Sequence, residues 1–207
     1  MWNLQIQGED FAKIQAYAIE CVEFTGRYNL SFPAGLARAT QAGWLDPMIK
    51  GEDAPSIAET IARWEQSNHI ASAGSYYVHR ALVYYYFGEY AEAEAHLTEA
   101  EKYLAGLTDS VLKRQWHVFR ILTTIKRHEQ ERHRSGAADL QEQIQLLIGK
   151  VEKWTALGPL LKPYLAFVYA ERERAIGEFK TARSLYLDAI ATANEHGYVC
   201  LEGHLNE

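Results

Sequence analysis

SYYVHRALVYYYFGEYAEAEAHLTEAEKY, residues 75–103, reads as one helix, a glycine turn and a second helix. After the turn at Gly88, Tyr90, Ala93, Leu97 and Ala100 recur at helical spacing, and Ala81 and Tyr84 share a face of the helix before it. The segment from Ala170 repeats the arrangement with Gly177, Phe179, Ala182, Tyr186 and Ala189. Both copies place a small residue, then Gly seven on, an aromatic two on, Ala three on, an aromatic or Leu four on, and Ala three on. Glycine lets the chain reverse tightly, and alanines let two helices approach where bulkier side chains would hold them apart. The aromatic after the turn is expected to fill the gap between neighbouring hairpins.

Working outward, Gly8 is followed by Ile14, Ala18 and Cys21, and Gly51 by Ile57, Ile61 and Trp64, at identical offsets. Gly136 leads to Leu140, Ile144 and Leu147 at nearly the same spacing. The turn glycines at 8, 51, 88, 136 and 177 lie 37 to 48 residues apart, longer than the tetratricopeptide unit of about 34. The pattern predicts helices near 9–28, 32–44, 55–67, 70–87, 89–104, 109–130, 137–156, 160–176 and 178–195. Leu112, Trp116, Phe119 and Leu122 form one core stripe, and Leu140, Ile144, Leu147, Val151 and Trp154 another. Pro33, Pro55 and Pro163 suit first turns, Asp46-Pro47 an irregular turn, and Gly197 a helix stop. The expected fold is all-α: a tetratricopeptide-like, right-handed α-solenoid of about four to five hairpins over residues 1–207 as one repeat domain. The short start MWNLQI and the truncated finish VCLEGHLNE suggest a piece of a longer chain.

Of the 207 residues 48% are hydrophobic and 12% aromatic, enough for a packed core. The net charge of −6 disfavours nucleic acid, which is held by clustered Lys and Arg. No apolar run is long enough to span a bilayer, and the first residues are no signal peptide, so a cytoplasmic chain without membrane partners is expected. Two distant cysteines, Cys21 and Cys200, read as reduced thiols, Cys21 packed at a small-residue position and Cys200 without an activating set.

No residue pattern calls for catalysis, a cofactor or a metal. RHEQERHR, residues 127–134, resembles a zinc-protease helix superficially. His128 and His133 are five residues apart, about 140° around a helix, so a regular helix cannot bring both to one metal. His69, His79, His96, His117, His196 and His204 show no ligand spacing. Glu89, Glu92 and Glu94, and again Glu171 and Glu173, read as solvated helix faces. The aromatic group around residues 76–90 offers more. Tyr77, Tyr84 and Tyr90 fall at core positions. Val78, Leu82, Tyr85 and Tyr86, with Tyr164 and Phe167 in the later copy, fall where a concave groove for a peptide or partner helix is expected. Helices of the same chain could equally cover these residues.

HRALVYYYFGEYAEAEAHLTEAEKYLAG (79–106) and PYLAFVYAERERAIGEFKTARSLYLDAIATANEHGYVCLEGHLNE (163–207) resemble the helical region of very large bacterial signalling proteins. Those proteins combine a Ser/Thr-kinase-like domain, an AAA/STAND-type ATPase, a tetratricopeptide-like stretch, and GAF and histidine-kinase domains. ANEHGY (193–198) with LEGHLNE (201–207) looks like the end of that stretch, and DPMIKGED (46–53) is similar to its linker. The resemblance covers residues 45–207 and the helical module only; no phosphate loop, catalytic Asp loop or phospho-acceptor His box occurs here. It implies a non-catalytic interaction or regulatory module whose partner is a protein, a peptide or a neighbouring domain of the same polypeptide. The tetratricopeptide domain of bacterial ATP-dependent transcription activators looks alike, and implies a ligand- or peptide-sensing domain instead.

Overall fold

The computed structural model describes residues 9–50, 57–107, 110–130 and 137–206. Among these residues every regular element is helical. The helices are α1 (Phe11–Arg27), α2 (Ser31–Thr40), a π-helical segment (Gln41–Leu45), α3 (Asp46–Lys50), α4 (Ile57–Gln66), α5 (Ile70–Tyr86) and α6 (Tyr90–Glu101). They continue as α7 (Val111–Gln130), α8 (Ala137–Leu157), a 3₁₀ turn (Pro159–Leu161), α9 (Lys162–Ile176), α10 (Phe179–Glu195) and α11 (Val199–Leu205). Two compact units result, Glu9–Trp116 and His117–Glu207, with the boundary inside α7.

Five reversals share one geometry. Asn29, Asn68, Gly88, Gly177 and Gly197 take positive φ, between 55° and 93°. The next residue in each case donates its N–H to the carbonyl five back: Leu30 to Thr25, His69 to Trp64, Glu89 to Tyr84, Glu178 to Glu173 and Tyr198 to Ala193, at 2.7–2.9 Å. This is the Schellman closure, in which a left-handed residue satisfies the last carbonyls of one helix while the chain turns into the next. Gly88 and Gly177 stand where the sequence pattern places turns, and Gly197 ends its helix as expected. Gly8, Gly51 and Gly136 lie outside the described residues. Two reversals use asparagine, whose short amide tolerates the left-handed region, so the spacing of glycines does not mark them.

In the first unit α5 is the central element, with α2, the π segment, α4 and α6 packed against it, and α1 paired with α2. Its residues from Ala71 to Tyr76 and from Val78 to Val83 are all buried, as expected of a helix surrounded by others. Ala81, Ala93, Leu97 and Ala100 close the α5–α6 hairpin without residual exposure. The Trp116 indole N–H then donates to the Leu97 carbonyl at 2.7 Å. Contact between the π segment and α5 is backbone-close: a Cβ on Gly43 would sit 2.8 Å from the Tyr76 carbonyl oxygen.

Asp46-Pro47 does not break the chain, contrary to the expected irregular turn; α3 follows the π segment directly. An interior proline clashes with the carbonyl four residues back, here Gly43, and the wider π turn just upstream relieves that clash. The Asp46 N–H accordingly reaches the Gln41 carbonyl, five back.

In the second unit α9 pairs with α10, α10 with α11, and α8 with α9. Ala170, Ala182, Ala189 and Ala193 are buried at the close contacts. Along α8, Ile144, Ile148 and Val151 face the core, Leu147 and Trp154 are half-buried, and the Leu140 side chain lies outside the described residues. Of the α7 stripe, Phe119 and Leu122 are buried in this unit, while the buried Trp116 and half-buried Leu112 belong to the first. The aromatic two residues after the turn differs between the copies: Tyr90 is half-buried with its ring 5.5 Å from Tyr85, whereas Phe179 is 67% exposed and fills no gap.

Candidate functional site

The residues expected to line a groove are mostly interior. Val78, Leu82 and Tyr85 are buried in the first unit, and Tyr86 is half-buried. Tyr164 and Phe167 are buried in the second, so the expectation of an open apolar groove along these six side chains is corrected. The cause is the position of α5, against which α2, the π segment, α4 and α6 all pack. In the second unit the covering groups follow the Gly197 reversal: Tyr198 meets the Tyr164 ring edge-on at 5.9 Å, and His204 on α11 meets Phe167 at 5.6 Å.

Tyr77 and Tyr84, expected in the core, are instead half-buried on the side of α5 that meets α6. They belong to a row of rings. Tyr103 stacks on Tyr77 at 5.7 Å with 9° between planes, Tyr77 lies 6.0 Å from His96, and His96 lies 4.9 Å from Tyr84. Arg80 ends the row, its guanidinium 4.4 Å from the Tyr84 ring centre and donating to the Tyr84 hydroxyl at 2.8 Å. The Tyr103 hydroxyl donates to the Glu65 carboxylate. Burial and the nearby carboxylates of Glu99 and Glu65 push the Tyr77 phenol above its ordinary range, and burial with Glu65 does the same at Tyr103. Phenols raised in this way stay protonated at neutral pH, so the row suits packing and recognition rather than proton abstraction.

The second unit holds a buried ionic cluster that the sequence does not announce. Glu171, expected on a solvated face, is 4% exposed. Its carboxylate accepts from Lys126 Nζ at 2.8 Å, Arg174 at 2.7 Å and the Tyr186 hydroxyl at 2.5 Å, and Arg174 also donates to Glu129 at 2.6 Å. Burial pushes the Glu171 carboxyl upward, but Lys126, Tyr186 and Arg174 outweigh it and hold it below the usual carboxylate range. Two cations and two carboxylates neutralise one another here, a cross-link between α7, α9 and α10 whose bonding capacity is already taken.

His128 is half-buried on α7, and His133 lies outside the described residues. Among the described residues no group of three His, Cys, Asp or Glu side chains is placed to hold a metal. Cys21 is half-buried and Cys200 exposed, both as free thiols. Burial drives His79 down to about 4, the Ser75 backbone offsetting part of that, so its imidazole is neutral at physiological pH. No helix among the described residues is long and apolar enough to cross a membrane.

One cavity in the first unit opens beside the π segment, with a volume of about 210 Å³. Arg38, Gln41, Ala42, Asp46, Ile57, Thr60 and Trp64 line it. Asp46 is buried and accepts from the Gln15 amide at 3.3 Å, whereas Arg38 is exposed and donates to no carboxylate among the described residues. The π segment turns Gln41 and Ala42 toward the same space as Trp64 from α4. The site is not legible in the sequence because α4 meets α2, the π segment and α3 only in the fold; the one local signal is a proline that fails to end a helix. Comparison with protein families, curated proteins and solved structures finds no match for this chain.

Proposed function

We propose that this chain is a non-catalytic interaction and regulatory module: a tetratricopeptide-like, right-handed stack of hairpins that docks a protein, a peptide or a neighbouring domain of its own polypeptide within a cytoplasmic bacterial signalling system. The observation that carries the reading is the outer face of α1. Tyr17, Cys21, Phe24 and Tyr28 recur there at helical spacing, and Leu30 and Phe32 follow at the turn into α2. Phe24 is 54% and Tyr28 59% exposed, their rings 4.8 Å apart. Apolar surface concentrated on one helix face is what an amphipathic helix seats against, through anchors spaced three and four residues apart. The five equivalent reversals support the repeat character of the scaffold that presents it.

The test is site-specific photo-crosslinking in cells, with a photoreactive residue at Phe24, at Tyr28 and at the exposed control position Gln145. Discrete adducts from the first two positions, lost in a Tyr17→Ser variant of unchanged circular dichroism, are expected. Adducts no stronger than the Gln145 background would overturn the reading.

A further inference from the structure

We propose that the cavity beside the π segment is a binding site for a small organic monocarboxylate with a compact apolar body, an aryl or branched aliphatic acid. Size sets the first limit. A dry apolar cavity of about 150 Å³ takes benzene, so about 210 Å³ admits one ring or branched chain with a carboxylate, on the order of ten non-hydrogen atoms. Sites for drug-sized ligands run to about 300 Å³ or more, so a smaller molecule matches this one better.

Chemistry sets the second limit. Trp64, Ile57 and Ala42 supply an apolar wall, against which a ring or isobutyl group leaves water. Arg38 supplies the charge. In a chain of net charge −6 it stands at the cavity without a carboxylate partner among the described residues, and its planar fork matches a carboxylate in two parallel hydrogen bonds. Gln41 and Thr60 add one amide and one hydroxyl for the remaining acceptor lone pairs. Asp46 lines the same space and is itself held by the Gln15 amide, so the ligand carboxylate is assigned to the Arg38 side of the cavity, where a second carboxylate has no cation to meet. The assignment stands apart from partner docking at α1, since none of these residues lies on that face.

The purified 207-residue protein would be titrated at low ionic strength with phenylacetate and 4-methylpentanoate, followed by saturation-transfer NMR and by tryptophan fluorescence. Phenylacetamide and phenethylamine are the neutral and cationic controls, and phenylsuccinate is the dianion. Saturable binding of the two acids with Kd on the order of 0.1–1 mM is expected, the amide and amine at least about tenfold weaker. Arg38→Gln, an exposed position whose variant keeps its thermal midpoint, is expected to weaken the acids at least about tenfold. Trp64→Phe should abolish the fluorescence response while NMR still reports binding. The proposal is overturned if neither acid saturates below 10 mM (about ten times the weakest expected Kd), if the amide matches the acid, or if Arg38→Gln binds as well as the parent. A pentapeptide ending in Phe serves as a last arm: binding of that peptide without binding of the free acids assigns the cavity to a chain terminus and refutes the small-acid reading.

Discussion

Asn29 and Asn68 hold the left-handed backbone that Gly88, Gly177 and Gly197 hold elsewhere, and every one of these residues closes the same hydrogen-bonded turn. A side chain at positive φ costs roughly 1–2 kcal/mol, less for asparagine, nothing for glycine. Asn29→Gly and Asn68→Gly are therefore expected to raise stability by a few tenths of a kcal/mol, and Gly88→Ala and Gly177→Ala to lower it by about 1 kcal/mol each. Urea unfolding followed by circular dichroism reads both signs; a Gly→Ala change that stabilises would mean the turn relaxes out of the left-handed region. His79 carries the other prediction at this scale. Its folded value near 4 lies below the unfolded 6.5, so the unfolded chain takes up the proton first as pH falls. Stability from this group is complete above about 6.5 and drains away between 6.5 and 4. From pH 7.5 to 5 the loss is about 2 kcal/mol, and His79→Gln is expected to flatten that part of the stability–pH curve. An identical slope in the variant would place the acid sensitivity elsewhere.

Among the elements, α5 explains both what the sequence disclosed and what it hid. The hairpin it forms with α6 was legible because Ala81, Gly88, Ala93 and Ala100 repeat as Ala170, Gly177, Ala182 and Ala189, and small residues at close contacts leave a spacing signature. Which side of α5 faces outward was not legible. The run VHRALVYYY (78–86) has no polar face long enough to mark solvent, so Tyr77 and Tyr84 exchanged roles with Val78, Leu82 and Tyr85. The Glu171 cluster was hidden for another reason: Lys126 and Glu129 lie some forty-five residues upstream, and only the packing of α7 on α9 brings them within reach. That cluster is testable as a unit. Glu171→Gln leaves Lys126 and Arg174 facing a neutral amide in a buried site, and a loss of about 3 kcal/mol is expected. A Glu171→Gln, Lys126→Met double variant removes the orphaned ammonium as well, Arg174 keeping Glu129, and is expected to recover more than half of it, measured together with Lys126→Met alone as a double-mutant cycle in denaturant. Additive losses would show that the two side chains do not interact. The Gly43 contact gives an independent reading of α5. Gly43→Ala drives a Cβ toward the Tyr76 carbonyl, and because backbone cannot step aside as a flexible side chain can, a loss of about 2 kcal/mol or more is expected in the same assay.

At the scale of the whole molecule two opposing forces act between copies of the chain. The net charge of −6 opposes their approach, and the α1 stripe is exposed apolar surface that association would bury. Their ranges differ. Repulsion between exposed charges is screened within about 10 Å at 0.1 M salt and about 3 Å at 1 M, while contact between apolar rings needs no charge and is strengthened by excluded salts such as sulfate. Raising the salt should therefore promote association through α1, the opposite of what a complex held by ion pairs would do. In sedimentation velocity at fixed protein concentration, the weight-average mass of the parent is expected to rise from low salt to 1 M sodium sulfate. The Phe24→Ser, Tyr28→Ser variant should stay at the monomer mass, because both side chains are more than half exposed and their loss removes surface rather than core. Equal rises in parent and variant would point to another apolar surface, the first to examine being Phe179 and Leu187 on α10, which are also exposed. A fall in mass with salt would show that charge pairing governs association and that the aromatic stripe takes no part in it.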